Sequence, residues 1–120
     1  MEFTSNGTKG SKLNEESYNI PDETNFYGTL IGTSKLNIAT QFHGIGWSVR
    51  RCSWTDYEVE CEWGELTIEG ENQTLLNGTI DEEMFEQLAK ILNGMGLKFS
   101  LELYDMNQNL KLTNSNHVRV

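Results

Sequence analysis

The clearest pattern in the chain is the alternation of apolar and acidic residues in YEVECEWGELTIEGE, residues 57–71. One parity carries the apolar residues Tyr57, Val59, Cys61 and Trp63, and the other carries Glu58, Glu60 and Glu62. Successive side chains of a strand point to opposite faces, so this alternation predicts a strand with one apolar and one acidic face. The parity changes after Gly64, where Leu66 and Ile68 become the apolar positions. We therefore predict two strands that meet at Gly64.

The glycine at this junction predicts a tight hairpin, because glycine readily adopts the positive φ angles of two-residue turns. With Gly64 and Glu65 at the centre of the turn, the acidic face pairs as Glu62 with Thr67, Glu60 with Glu69 and Glu58 with Glu71. Like charges directly opposite each other destabilise a sheet by about 0.2–1 kcal/mol per pair. The predicted acidic face therefore lowers the stability of the sheet. This cost raises the question of what function the acidic face has.

The rest of the chain predicts further strands and one helix. We interpret LIGTSKLNIATQF (residues 30–42) and HGIGWSVRRC (residues 43–52) as strands, the second of them bent at its glycines. Thr79 and Glu82 fit a capping box, and the apolar stripe from Met84 to Met95 predicts an amphipathic helix that ends at Gly94. Residues 97–103 and 110–112 have strand alternation and predict a final hairpin.

These elements predict an α+β fold. We expect an antiparallel β-sheet of five to six strands with one amphipathic helix packed on one face, in the order β-β-β-β-α-β-β. The ordered domain is predicted to span residues 25–113. Residues 1–24 are predicted to be a flexible arm or edge segment, and residues 114–120 a frayed tail, because both stretches are polar and lack periodicity.

The charge of the chain narrows the classes of partner. The formal charge is −9, with 18 acidic and 9 basic residues. Nucleic acids and anionic membranes attract positive charge, so we expect neither as a direct partner. A basic protein is the partner that this charge would steer into contact. We expect no cofactor, since GIG and GMG lack the rest of a phosphate-binding fingerprint.

The two cysteines, Cys52 and Cys61, bear on the compartment. The first residues, MEFTSNGTKG, contain neither a basic stretch nor an apolar stretch of the kind that begins a signal peptide. No apolar run approaches the ~20 residues of a membrane span. We therefore expect a cytoplasmic protein with reduced thiols.

The acidic residues are concentrated in one block of the sequence. From Cys52 to Ala89 there are 11 acidic residues and no lysine or arginine. A surface of one sign is typical of a docking site for a cationic surface, whereas an ordinary solvated face mixes both signs. A purely solvated face that protects the sheet from aggregation is the alternative.

Aromatic residues border the acidic block and add to the interface prediction. Trp54 and Tyr57 are of the residue types that dominate binding energy at interfaces, although Trp54 also fits a turn or core position. The candidate partner-binding residues are Trp54, Asp56, Tyr57, Glu58, Glu60, Glu62, Glu69 and Glu71.

The residue pattern gives little support to a catalytic site or a metal site. Cys52, Cys61 and His43 do not have the spacing of a zinc site, and a fourth ligand is missing. His43 lies beside glycines but without a visible nucleophile or acid, so we interpret it as a structural or surface residue. DMNQN, residues 105–109, lacks the glycine and distal glutamate of a calcium loop and is interpreted as a hairpin loop. We expect neither a metal site nor an enzyme.

The block EWGELTIEGENQTLLNGTIDEEMFEQLAKILNGMGLKFSLELYDMNQNL, residues 62–110, has a recognisable layout. A strand is followed by L-x-G before a helix, and ELYD lies in a hairpin. In this layout the chain resembles small bacterial immunity proteins of polymorphic or contact-dependent toxin systems. The resemblance implies a cytoplasmic inhibitor that binds a toxin domain, and a basic toxin nuclease would suit the charge. The alternative is a scaffold or sensor module that binds a small ligand or forms a homodimer through an edge strand.

Overall fold

The computed structural model describes residues 18–116 of the 120-residue chain. In this part of the chain seven strands and two α-helices form. The strands are β1 Phe26–Ile31, β2 Ser48–Arg51, β3 Tyr57–Cys61, β4 Gly64–Glu69, β5 Thr74–Ile80, β6 Lys98–Tyr104 and β7 Leu110–Ser115. The helices are α1 Lys35–Gly44 and α2 Phe85–Gly94, and a short 3₁₀ turn, Glu82–Met84, leads into α2.

All seven strands belong to one antiparallel sheet with the order β2-β3-β4-β5-β1-β6-β7. Helix α1 packs over β2, β3 and β4, and α2 packs over β6. The buried residues of both helices and of the inward-facing strand positions form one core cluster. The predicted α+β class with an antiparallel sheet is confirmed. The predicted count of five to six strands, the single helix and the element order are wrong.

The first helix replaces the strand that was predicted over residues 30–42. Strand β1 ends at Ile31, and α1 begins after Ser34, whose hydroxyl accepts a hydrogen bond from the Asn37 N–H at 3.1 Å. A serine at this position satisfies one of the amides that a helix start leaves unpaired. Ile38, Ala39 and Phe42 are the buried residues of α1, and their spacing is helical. The apparent alternation of Leu36 and Ile38 misled the prediction, because Leu36 is about half exposed.

Strand β5 was missed, and its presence changes the start of the second helix. Thr79, predicted to cap the helix, lies inside β5. Asp81 takes that place, since its carboxylate accepts a hydrogen bond from the Glu83 N–H at 2.9 Å. The positive φ angle after α2 belongs to Gly96, at 77°, and not to Gly94. The predicted alternation of Phe99, Leu101 and Leu103 in β6 is confirmed by their burial.

The hairpin of β3 and β4 forms, but its turn lies two residues earlier than predicted. Cys61 faces Gly64, and Glu62 and Trp63 are the turn residues between them. Gly64 does not adopt a positive φ angle. A Cβ atom at Gly64 would lie 3.1 Å from Cγ2 of Ile80, so the glycine serves the packing of β4 on β5. The shift preserves the parity, and the acidic residues of both strands still share the outer face.

The two helices end in the same way, fifty positions apart in the chain. HGIGW (residues 43–47) and NGMGL (residues 93–97) each close a ten-residue helix and continue into a strand. In both copies the residue after the second glycine donates its N–H back to the last turn. These bonds run from Trp47 to the Phe42 carbonyl at 3.0 Å and from Leu97 to the Leu92 carbonyl at 3.2 Å.

This likeness extends to the strands that flank the helices. Residues 26–50 and 76–100 match at Gly28 and Gly78, Thr29 and Thr79, Ala39 and Ala89, Gly44 and Gly94, and Gly46 and Gly96. The units β1–α1–β2 and β5–α2–β6 are therefore two versions of one strand–helix–strand arrangement. Their first strands pair at the centre of the sheet, where Phe26 faces Gly78 and Gly28 faces Leu76.

A buried asparagine also joins these two central strands. The Asn25 side chain accepts a hydrogen bond from the Ile80 N–H and donates one to the Ile80 carbonyl, both at 3.0 Å. It is 7% exposed, so these bonds satisfy polar atoms that would otherwise be costly to bury. The Asn25 carbonyl accepts a third bond from the Tyr104 N–H at 2.8 Å, which ties β6 to the same point.

The predicted division into an arm, a domain and a tail stays a prediction. Residues 1–17 and 117–120 lie outside the described residues. The described part of the predicted arm starts at Tyr18, and Tyr18 packs against the core. The Asn19 N–H donates to Oδ2 of Asp81 at 2.9 Å.

The centre of the sheet generates a stability prediction. A Cβ atom at Gly78 would lie 2.1 Å from the Glu65 carbonyl oxygen and 2.8 Å from the Leu66 Cα. Gly78→Ala is therefore expected to lower the free energy of unfolding by about 1–3 kcal/mol or more, because two backbones must separate. Urea denaturation followed by circular dichroism measures the change.

Gly44→Ala is the matched control for this substitution. A Cβ atom at Gly44 would meet nothing within 4 Å, and Gly44 has helical geometry. This variant is expected to keep its stability or to gain about 0.5–1 kcal/mol, since alanine restricts the unfolded chain. Equal urea midpoints for Gly78→Ala and the native chain would contradict the close packing described for β4 and β5.

Candidate functional site

The outer face of β3 and β4 carries glutamates that face one another across the hairpin. Glu60 of β3 lies directly opposite Glu65 of β4, and Glu62 occupies the turn that joins the two strands. Cβ atoms of directly opposed residues lie about 4.5–5.5 Å apart, so these carboxylates repel each other. We call Glu60, Glu62 and Glu65 the acidic hairpin end.

Bases from outside the acidic block neutralise other predicted site residues. Arg50 of β2 faces Glu58 of β3 and forms an ion pair with it on the outer face. The Lys35 ammonium lies 3.1 Å from a carboxylate oxygen of Asp56 and donates to the Gly70 carbonyl at 2.5 Å. The acidic block, which has no base of its own in the sequence, is therefore partly neutralised in the fold. Residues distant in sequence supply the bases.

Two residues of the acidic hairpin end, Glu62 and Glu65, differ from these neutralised positions. No ion pair between described residues includes Glu62 or Glu65. Glu65 is exposed, and Glu62 is half-buried in the turn. Of the acidic residues in the β3–β4 hairpin, Glu62 and Glu65, in and beside its turn, therefore lack an ion pair with any described residue.

Three other predicted residues lie apart from the hairpin end. Glu69 shares the outer face, but it accepts a hydrogen bond from the Asn77 side chain at 2.8 Å. Glu71 is exposed in the loop between β4 and β5. Tyr57 is only 8% exposed and belongs to the core on the helix side of the sheet. Tyr57 is therefore not available to a partner at the surface.

The loop between β2 and β3 exposes Trp54, the most prominent of the predicted site residues. Its side chain is 87% exposed. Arg51 holds the loop from one side, since its guanidinium donates to the Ser53 carbonyl at 3.1 Å and to the Trp54 carbonyl at 2.5 Å. The guanidinium carbon of Arg51 also lies 6.0 Å from the centre of the Trp54 ring, within the range of a cation–π contact.

Internal hydrogen bonds connect the residues of this loop to one another. The Ser53 hydroxyl accepts from the N–H groups of Thr55 and Asp56, at 3.2 and 3.0 Å. The Cys52 N–H donates to the Asp56 carbonyl at 3.0 Å, which closes the loop. A binding loop that is already ordered loses less conformational entropy on association, and an exposed tryptophan on such a loop is typical of an interface anchor.

A cleft lies on the opposite side of the sheet, between the ends of the two helices. It has a volume of about 580 Å³, which is within the usual range for small-ligand sites. Trp47 and Trp63 contribute to its lining, and their rings meet edge to face with centroids 5.2 Å apart. Glu62 reaches its rim, so the cleft adjoins the acidic hairpin end. The sequence analysis missed this cleft because it depends on the first helix.

The two cysteines lie in different environments, and neither forms a disulfide. Cys52 is exposed in the β2–β3 loop, and Cys61 lines the cleft. Burial raises the pKa of the Cys61 thiol to about 11, despite hydrogen bonds from the backbone that favour the thiolate. Partial burial and the charges of Glu58 and Asp56 raise the pKa of Cys52.

These environments predict the order of cysteine alkylation. The shift of the Cys61 pKa from 9.0 to about 11 lowers its thiolate fraction at pH 8 about a hundredfold. Iodoacetamide is therefore expected to modify Cys52 before Cys61 in the native protein. Mass spectrometry of samples taken at successive times measures the order. The variants Cys52→Ser and Cys61→Ser assign the two rates. Faster modification of Cys61 would contradict the burial assigned to it.

The opposed glutamates generate a second prediction. Glu65→Lys places a base opposite Glu60 and is expected to raise the free energy of unfolding by about 0.2–1 kcal/mol at low salt. Glu71→Lys makes the same change of charge in an exposed loop and serves as the control. Urea denaturation at low and high salt compares the two. A Glu65→Lys variant that is no more stable than Glu71→Lys at low salt would disprove the repulsion.

Two kinds of feature are absent from residues 18–116. Within residues 18–116 no group of three or more His, Cys, Asp or Glu side chains could hold a metal ion. No helix in this part of the chain has both the length and the apolar character that a membrane crossing requires. No protein-family model, curated protein or solved structure matches the chain.

Proposed function

We propose that the protein is a non-enzymatic inhibitor that binds a basic protein partner in the cytoplasm, as an immunity protein binds a bacterial toxin. The observation that carries the proposal is the direct opposition of Glu60 and Glu65 beside Glu62. Like charges at directly opposed positions lower the stability of a sheet. Binding to a cationic surface would explain why the chain keeps an arrangement that lowers its stability.

The mechanism follows from the charge and from the exposed tryptophan. Negative charge at the hairpin end would attract the basic surface of a toxin and raise the rate of association. The carboxylates would then cover the cationic groups that a toxin such as a nuclease needs for its own substrate. Trp54, held by Arg51, would supply buried apolar area and slow dissociation.

A second candidate function is a module that binds a small ligand, and the cleft between the helix ends favours it. Self-association through a strand edge receives less support. The edge strand β2 carries Arg50 and Arg51, and the other edge strand, β7, carries Lys111. Pairing between such edges would bring like charges together. Charged side chains on edge strands commonly prevent sheets from joining edge to edge.

Association kinetics test the proposed function. The full chain is used to capture its partner from an extract of the source cells, and the partner is purified. Glu60→Gln combined with Glu65→Gln is expected to slow association about three- to tenfold at low salt, with a smaller effect at high salt. Trp54→Ala is expected to raise the dissociation rate instead. Surface plasmon resonance measures both rates.

The control pair is Glu83→Gln combined with Glu86→Gln, which removes the same charge from exposed positions at the start of α2. This pair is expected to leave the association rate near that of the native chain. The proposal fails if the captured partner is not basic, or if both double variants slow association equally. The first result excludes the partner class, and the second excludes the acidic hairpin end as the contact.

A further inference from the structure

The cleft lies beside the carboxyl end of α1 and along the length of α2, since Met84 and Met95, at the two ends of α2, both line it. Gln41 and Ile45 from the end of α1 face Ile91 and Met95 from the end of α2 across it, and these are matching positions of the two strand–helix–strand units. The Gln41 side-chain amide donates to the Met95 carbonyl at 3.4 Å and links the two ends. The geometry therefore brings two helix C-termini to one small space.

These surroundings give the cleft a negative electrostatic character. The carboxyl end of a helix carries a partial negative charge, equivalent to roughly half an elementary charge. Among the described residues that line the cleft, Glu62 carries the one formal charge, and no lysine, arginine or histidine lines it. The carboxyl end of α1 and the Glu62 carboxylate thus act in the same direction and would repel an anion, whereas the opposite partial charges at the two ends of α2 offset each other.

About half of the cleft lining is apolar, and this half is polarizable. Trp47 and Trp63 form the aromatic part, and Met84, Ile91 and Met95 form the aliphatic part. Aromatic rings attract cations through their negative faces, and methionine side chains adapt to the shape of apolar ligands. A ligand that suits these walls has an apolar body, and a ligand that suits the electrostatics has a positive charge.

We propose that the cleft is a binding site for a small organic cation, an ammonium group carried on an apolar body. The ammonium group lies near the Glu62 carboxylate, and the apolar body lies against the neighbouring Trp63. This site is separate from the opposed glutamates of the outer face and does not depend on the proposed inhibition of a basic partner.

Nuclear magnetic resonance with three matched probes tests the site. The probes are 2-phenylethylammonium, neutral 2-phenylethanol and anionic 3-phenylpropionate, which share a phenyl ring and a two-carbon stem. The ammonium probe is expected to cause saturable shifts of the indole N–H signals of Trp47 and Trp63. The exposed indole of Trp54, outside the cleft, serves as the internal control. The neutral probe is expected to bind more weakly, and the anion is expected not to bind.

Two charge variants separate the site from general attraction to an acidic protein. Glu62→Gln is expected to weaken binding of the ammonium probe about two- to fivefold, as loss of one exposed ion pair does. Glu65→Gln removes the same charge from the outer face and is expected to leave the affinity unchanged. Gln87→Glu, which adds a carboxylate to the lining, is expected to strengthen binding.

The proposal is overturned by any of three results. These are equal affinity for the ammonium and neutral probes, equal weakening by Glu62→Gln and Glu65→Gln, or shifts of the Trp54 indole as large as those of Trp47 and Trp63. An unchanged native fold in each variant is verified from the amide spectrum before titration.

Discussion

The close approach of β4 and β5 at Gly78 is the constraint on which the placement of the outer face depends. No side chain fits at this position, because the Glu65 carbonyl and the Leu66 backbone occupy the space that it would need. Leu66 is held opposite Gly78 on one side and opposite Val59 on the other. The turn at Glu62 and Trp63 sets the register that places Glu65 opposite Glu60. The packing at Gly78 fixes where this hairpin lies on β5.

The same central strands organise the helix side of the sheet. Strands β1 and β5 begin the two similar units, and each unit sends its helix across one face before returning to the sheet. The helices end with the same glycine pattern and the same backbone hydrogen bonds. Their C-termini therefore meet in a cleft whose edge is the β3–β4 turn. Glu62 belongs to both regions, since it lies in that turn and lines the cleft.

The sequence predicts the elements in which one periodicity dominates. The alternation in residues 57–61 and 99–103 predicts β3 and β6 correctly, and the stripe from Met84 to Met95 predicts α2. The first helix was missed because its polar residues obscure a short apolar stripe. Its resemblance to α2, fifty positions later, is the signal that could have identified it.

Strand β5 was missed for a different reason, which also explains the error in the hairpin. Asn77 and Gly78 form a pair that usually indicates a turn, yet here Gly78 lies inside a strand because a neighbouring backbone leaves no room for a side chain. Gly64 was placed in a turn on the same grounds, and it also serves close packing. A single sequence does not distinguish glycines that allow a turn from glycines that allow close approach.

The candidate site was also predictable from the sequence only in part. The acidic parity of β3 and β4 was predictable, whereas the sequence left open whether Trp54 is an exposed interface residue or a turn or core residue. The neutralisation of Glu58 by Arg50 and of Asp56 by Lys35 was not, because these contacts depend on the sheet order and on the position of α1. The structure thus concentrates the proposed partner surface at Glu60, Glu62, Glu65 and the loop of Trp54.

Hydrogen–deuterium exchange of the chain alone and bound to its captured partner tests this central claim most directly. The account predicts that binding slows exchange in residues 52–56 and 60–65, at the Trp54 loop and the β3–β4 turn, and leaves β7 unchanged. Protection confined to β7, or to the outer faces of α1 and α2, would contradict it.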